Sequence, residues 1–281
     1  MSNSRVIAVV NQKGGVGKTT TSVNLAASLA ASEHRTLLVD LDPQGNASSA
    51  YGVLSPHPHI YHALVGDCSV ESAMVETDLG FLRLIPAGAD LVGAEIELVT
   101  HPDREKCLSG VIDRVRDDFD FVLIDCPPSL GILTLNALTA ADALLIPLQC
   151  EYYALEGLAR LMETRDLVSA DLNPALELEG IVLTMVDTRN NLSRQVEAEV
   201  REHFEDRVYQ TRIPRNVRLS EAPSHGQPIL LYDAHSRGAQ AYLELAEEMI
   251  GRHIKESTPK IEVETPPEAL IPAPALEEKD R

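Results

Sequence analysis

The residues whose types and spacing could do chemistry begin at Asn11-Gln12-Lys13-Gly14-Gly15-Val16-Gly17-Lys18-Thr19-Thr20, which follows a short apolar run and precedes a helical pattern. Glycines at this density let successive backbone N–H groups turn inward around phosphate oxygens, and the helix that follows adds the positive end of its dipole. Lys18 would neutralise the β- and γ-phosphates of a nucleoside triphosphate, and the Thr19 hydroxyl would ligate Mg²⁺. Lys13, Gly14, Gly15, Val16, Gly17, Lys18, Thr19 and Thr20 are therefore the candidate nucleotide contacts. One departure from the common pattern carries information. Its first glycine would fall at Gln12, and a second lysine, Lys13, opens the loop instead.

Two acidic sites follow. Asp40-Leu41-Asp42-Pro43-Gln44-Gly45-Asn46 places carboxylates at i and i+2 on an extended strand end, which turns both to one side, toward the mouth of the loop. Asp125 follows the unbroken apolar run 121–124 as the first polar side chain at its carboxyl end, where ligands sit in open α/β sheets. There it would hold Mg²⁺ through water. Cys126-Pro127-Pro128-Ser129-Leu130-Gly131 comes next and reads locally as a Pro-stiffened loop.

These groups need a frame. Short apolar runs at 6–10, 36–39, 81–85, 119–124, 143–148 and 181–186 read as buried strands, and helical spacing appears at 19–31, 151–169 and 237–253. Strand and helix alternate, so the fold class expected is α/β, a single doubly wound and mostly parallel sheet with helices on both faces. Residues 1–254 make one domain. Residues 255–281, with five prolines and a net charge of −3, are expected to be a disordered tail.

The chain has 281 residues and 43 acids against 24 bases, a net charge of −19, so about −16 belongs to the domain itself. Aromatic residues at 4% and the absence of Trp argue against an aromatic-rich binding module. Cys68, Cys107, Cys126 and Cys150 form no C-x-x-C pair, and no apolar stretch reaches the length of a membrane span. A cytoplasmic protein without a membrane partner is expected. Cys126 lacks a convincing second cysteine for a cluster, and His57-Pro58-His59 with His62 lacks the acids or cysteines of a metal site.

With its two lysines and the Pro-Gln-Gly-Asn continuation after Asp42, the sequence resembles the deviant Walker A ATPases of the ParA/Soj partitioning family. The likeness runs from about Arg5 to about Ile254 and includes the segments 147–157, 183–192 and 213–224. It implies ATP and Mg²⁺ as cofactors and an ATP-dependent homodimer in which Lys13 reaches the partner subunit's phosphates. It also implies that Asp42 orients or deprotonates the attacking water, that Asp40 supports the Mg²⁺ shell, and that 126–131 senses the γ-phosphate. Catalytic roles thus fall on Lys13, Lys18 and Asp42, and metal roles on Thr19, Asp40 and Asp125. Adenine contacts map onto Met185, Pro214 and Asn216. The loop begins within a dozen residues of Met1, so an N-terminal helix-turn-helix is not expected.

Residues 207–218 hold four arginines and no acid. Composition alone suggests a solvated edge neutralised by Glu205, Asp206 and Glu221. The resemblance suggests instead that Arg212, Arg215 and Arg218, with Arg189 and Arg207 in support, bind double-stranded DNA without sequence preference. The implied function is a slow, partner-stimulated ATPase: the ATP dimer coats the nucleoid, and a ParB-type partner triggers hydrolysis and release, driving chromosome or plasmid segregation. Two alternatives stay open. A MinD-like membrane-positioning ATPase would end in a basic amphipathic helix, whereas this chain ends acidic and Pro-rich. A P-loop metabolic ligase would leave the arginine segment without a role.

Overall fold

The computed structural model describes residues 4–187 and 189–257. Its strands are β1 (Arg5–Val9), β2 (Thr36–Asp40), β3 (Val75–Glu76), β4 (Leu82–Ile85), β5 (Phe121–Asp125), β6 (Ala143–Gln149), β7 (Glu177–Val186) and β8 (Val208–Pro214). They form one sheet in the order β3-β4-β2-β5-β1-β6-β7-β8, parallel except for β3 against β4. The expected α/β class is what is found. All six expected runs become strands, and two further strands join them at the edges. β3 has only two residues. β8 alternates buried Val208, Tyr209 and Ile213 with exposed Gln210 and Arg212, the pattern of an edge strand rather than a continuous apolar run.

The helices that matter for the site are α1 (Lys18–Ala31), α2 (Asn46–Ser49), α3 (Leu91–Glu97), α4 (Ile132–Ala140), α5 (Ala154–Asp171), α6 (Asn191–Phe204), α7 (Val217–Glu221) and α8 (Arg237–Ser257). Period-two alternation in the strands sends Val6, Ala8 and Val10 into one core with α3, α4, α5 and α6. Ile7 and Val9 face the other core with α1 and α8. Both sheet faces are covered, which is why β1, β2 and β5 read as unbroken apolar runs. The Thr21 hydroxyl and the Tyr242 hydroxyl, 3.2 Å apart, join α1 to α8. α8 runs to Ser257, three residues past the expected domain boundary, and residues 258–281 of the expected tail lie outside the described residues.

This strand order places β1 between β5 and β6, so consecutive connections leave the carboxyl edge in opposite directions beside β1. A crevice opens at that switch point, and Lys13, Asp42 and Asp125 all belong to segments ending there. No described helix is long and apolar enough to cross a membrane.

Candidate nucleotide site

The loop after β1 is held from two sides. Asn11 donates through Nδ2 to Pro147 O (2.8 Å) and accepts from Lys13 N–H (2.9 Å), which ties the loop entrance to β6. Thr184 donates to Val16 O (2.8 Å), which ties its exit to β7. Gly15 at φ 75° and Gly17 at φ 90° occupy the left-handed region, so a side chain at either would strain the turn that aims its N–H groups inward.

The two lysines part company. Lys18, the first residue of α1, is 7% exposed and donates to Lys13 O at 3.3 Å. Burial pulls its pKa down, while the carboxylates of Asp125 and Asp42 pull it back up. Lys13 turns outward instead and ion-pairs with Glu151 just beyond β6, both half-exposed. Its ammonium therefore makes no contribution inside its own loop.

Asp40 and Asp125 are register partners at the ends of β2 and β5. Both are fully buried. Asp125 accepts from the Ser22 hydroxyl through Oδ1 (2.7 Å), and its Oδ2 is buried without a hydrogen-bond partner. Burial, reinforced by the charge on Asp40, pushes the Asp125 carboxyl up to about 7, against favourable contacts from Ser22 and Thr19. An orphaned carboxylate oxygen in a dry site, with the Thr19 hydroxyl beside it, fits a Mg²⁺ shell completed by water and phosphate. These two residues would hold the ion, which would offset phosphate charge.

Asp40 has other work. Its Oδ2 accepts from Ser48 N–H (2.8 Å) and the Ser48 hydroxyl (2.6 Å), and its Oδ1 accepts from Asp42 N–H (3.2 Å). Ala87 N–H donates to the same Ser48 hydroxyl at 2.9 Å. Asp40 thus fastens α2 and the Asp42 turn to the sheet, and burial raises its carboxyl to about 6 despite those bonds. It reads as a positioning residue for the loop rather than an open ligand. Asp42 is 7% exposed, accepts from Gln44 N–H through Oδ1 (2.9 Å), and sits close enough to Lys18 to act on its charge.

The raised carboxyls predict a pH dependence. A native carboxyl whose pKa lies above its ordinary value keeps its proton where the unfolded chain has lost it, so stability falls as pH rises through that window. For Asp125 the window runs from the ordinary 3.8 to about 7, at a slope of at most about 1.4 kcal/mol per pH unit. Thermal melts of the nucleotide-free protein should show stability declining from pH 4.5 to 7, and Asp125→Asn should flatten the decline. Mg²⁺ needs the ionised form, so its affinity should rise over the same interval. A melt profile of Asp125→Asn parallel to wild type would contradict this.

Beside Gly17 lies a cavity of about 210 Å³ lined by Met185, Pro214 and Asn216, the three expected base contacts, together with Arg215, Ser220 and Tyr242. Met185 adopts φ 50°, uncommon for a side-chain-bearing residue, which directs the chain end of β7 against Gly17. Asn216 caps α7 by accepting from Arg218 N–H (2.8 Å). Ser220 and Tyr242 are not among the expected contacts, because only folding brings α7 and α8 against the end of β8, and Arg215, expected at DNA, stands between Pro214 and Asn216 on the same wall.

The arginines do not all share one surface. Arg207 precedes β8 and donates to Leu178 O (2.9 Å) near the start of β7, so it stands at the amino edge, whereas Arg189, Arg215 and Arg218 follow the carboxyl ends of β7 and β8. Arg189 forks onto Asp187 with two bonds of 2.9 Å, Arg212 pairs with Glu197 at 2.6 Å, and Arg218 pairs with Glu221 at 2.8 Å. Neutralisation by acidic neighbours is therefore present, through Glu221 as expected and through Asp187 and Glu197 in addition. Among the described residues, no group of His, Cys, Asp and Glu could hold a metal ion by itself, His57, His59 and His62 included, and Cys126 is buried and unbridged.

The AAA domain family matches residues 4–178. The chain is 54% identical over 258 residues to the chromosome partitioning protein ParA of Myxococcus xanthus, covering 91% of this chain and 90% of that protein. It is 56% identical over 247 residues to the sporulation initiation inhibitor protein Soj of Bacillus subtilis, covering 87% and 98%. Among solved structures it is similar to a cobyrinic acid a,c-diamide synthase from Mycobacterium smegmatis with bound ADP and magnesium, at 40% identity and TM-score 0.79, covering 91% of this chain and 97% of that one. It is also similar to the cell division ATPase MinD of Pyrococcus furiosus, at 29% identity and TM-score 0.73, covering 88% and 99%. With a phosphate-binding loop that carries an outward second lysine, and with relatives at this identity over nearly their whole length, the chain belongs to the ParA/Soj family of chromosome-partitioning ATPases.

Proposed function

We propose that the chain is a DNA-partitioning switch in which ATP and Mg²⁺ join two copies, the dimer binds DNA without sequence preference, and a ParB-type partner stimulates slow hydrolysis and release. The observation that carries this reading is the division between the lysines. Lys18 faces its own loop, and Lys13 stands outside it, half-exposed, held by a Glu151 pair of the exposed kind that is worth at most about 1 kcal/mol. A lysine so weakly restrained is free to exchange Glu151 for the phosphates of a second copy. The likeness to the synthase keeps a ligase as the second reading.

In the switch cycle Arg212, Arg215 and Arg218 of each chain face phosphates, with Arg189 beside them and Arg207 at the far edge taking no part. Their carboxylate partners do not prevent this, since exposed pairs are weak and a phosphate replaces one acceptor with another. Three contacts in one chain must overcome a net charge of −19, and two chains supply about six for one duplex. The log–log salt slope of the ATP dimer on DNA is then about −5. Arg218→Ala removes two contacts per dimer, so it should flatten the slope by about 2 and weaken binding equally on unrelated duplexes. A salt titration by fluorescence anisotropy reads both. Wild-type slope in the variant returns the arginines to a solvated edge, and absence of ATP-dependent DNA binding in the wild type favours the ligase.

A further inference from the structure

Ser48 joins more of the molecule than its place in the short helix α2 suggests. Each of its polar atoms is engaged. Its N–H (2.8 Å) and its hydroxyl (2.6 Å) both donate to Asp40 Oδ2 at the end of β2. The hydroxyl oxygen accepts from Ala87 N–H (2.9 Å), two residues past β4, and the Ser48 carbonyl accepts from Tyr51 N–H and Val53 N–H at 3.1 Å each. The Tyr51 hydroxyl in turn donates to Val23 O on α1 at 2.7 Å. Ser48 is 1% exposed, so water does not stand ready to replace any of these bonds.

The turn that carries Asp42 depends on this node. Asp42 Oδ1 and Asp42 O accept from Gln44 N–H and Gly45 N–H, both at 2.9 Å, bonds that shape the turn without fixing it to the sheet. Its attachments to the sheet run from Leu41 N–H to Asp125 O (2.9 Å) and from Asp42 N–H to Asp40 Oδ1 (3.2 Å). The second is only as fixed as the Asp40 carboxyl, and Ser48 orients that carboxyl from its other oxygen. Gly45, at φ 62°, turns the chain back so that Ser48 can reach Asp40, and a β-carbon on it would lie 3.7 Å from Ala87 O. Ala87 thus borders the turn twice, at its carbonyl beside Gly45 and at its N–H on Ser48.

We infer that Ser48 is a positioning residue for hydrolysis. Its hydroxyl orients the Asp40 carboxyl and anchors it to Ala87, and through Asp42 N–H this sets where the Asp42 carboxylate holds water. The assignment rests on Asp42 as the residue that places the water, and it needs neither DNA nor a partner protein.

The test measures ATP affinity and single-turnover hydrolysis on the full chain. Ser48→Ala removes one donor from Asp40 and leaves Ala87 N–H without its acceptor, so hydrolysis should slow by about tenfold or more. The dissociation constant for ATP, set by the separate loop around Lys18, should stay within about threefold. Ser48→Thr keeps the hydroxyl and should restore most of the rate. Ser48→Cys keeps the size but offers only a weak donor, so it should resemble the alanine variant. A role in packing alone reverses that order. In the Asp42→Ala background, Ser48→Ala should cost no more than about twofold further, because residues acting as a unit are not additive. Amide exchange of the nucleotide-free protein reads the same anchor without turnover: Asp42 N–H and Ala87 N–H should exchange faster in Ser48→Ala than in the wild type.

A wild-type rate in Ser48→Ala, rescue by cysteine and not by threonine, or a further loss of about tenfold on top of Asp42→Ala overturns the assignment. So does unchanged exchange at Ala87, and so does wild-type turnover in Asp42→Ala, which removes the group that Ser48 would position. A slow Asp42→Ala beside a normal Ser48→Ala discards Ser48 and keeps Asp42. A wild type without ATP-dependent DNA binding refutes the partitioning cycle and leaves the Ser48 rates standing.

Discussion

Lys18→Ala should raise the dissociation constant for ATP by about a hundredfold or more, and Lys13→Ala should leave the same constant within about threefold. The difference follows from where the two ammonium groups stand. Lys18 is 7% exposed at the start of α1, with the carboxylates of Asp125 and Asp42 acting on it. Removing it takes away a charge-assisted hydrogen bond to phosphate and leaves those carboxylates facing the triphosphate without their counterion. Truncating one partner of a buried, hydrogen-bonded charge pair costs about 2–5 kcal/mol, which spans roughly 30-fold to several thousandfold. Lys13 is paired outside the loop with Glu151, and exposed pairs contribute at most about 1 kcal/mol. Its loss should appear in dimerisation instead. Titration calorimetry on the monomer reads the first quantity, and size exclusion with light scattering reads the second. An ATP-dependent Lys13→Ala dimer of normal stability would remove the second lysine from the interface.

The sequence was legible where a position admits few residue types. Gly15 and Gly17 mark left-handed backbone, and Lys18 and Thr19 follow at fixed offsets, so residue types and spacing alone place the loop. β1, β2 and β5 were equally plain because two covered faces demand apolar residues throughout. β8 was not, since Gln210 and Arg212 face out from an edge and interrupt the apolar run. What depends on contacts between distant segments was hidden. The pairing of Lys13 with Glu151 joins the first loop to the end of β6, and that of Arg212 with Glu197 joins β8 to α6. Arg218 with Glu221 was visible, because three residues apart on a helix is already contact. Asp40 shows the intermediate case: its spacing from Asp42 pointed to the site, but its bonds to Ser48 come from α2 folding back across the strand end. Met185, Pro214 and Asn216 were placed by resemblance, and they do line one cavity.

Asp42→Ala should lower ATP turnover by about 10²-fold or more and leave nucleotide binding in place, so that the ATP-bound dimer accumulates. Asp42 is positioned by backbone on both sides. Its N–H donates to Asp40 Oδ1 at 3.2 Å and its Oδ1 accepts from Gln44 N–H at 2.9 Å, which fixes the carboxyl and leaves Oδ2 open among the described residues. A carboxylate oxygen held in this way, close to Lys18 and across from Asp125, can orient a water toward the terminal phosphate. Phosphoryl transfer to water asks the protein mainly for such placement and for charge on the leaving oxygens. The alanine variant also loses the Gln44 bond, so slow turnover alone could reflect a loosened turn. Asp42→Asn separates the two causes, because its amide oxygen still accepts from Gln44 N–H while its other terminus can no longer take a proton. Both variants should be slow in single-turnover measurements with bound ATP. An asparagine variant that hydrolyses at the wild-type rate would show that Asp42 shapes the turn and that the water is activated elsewhere.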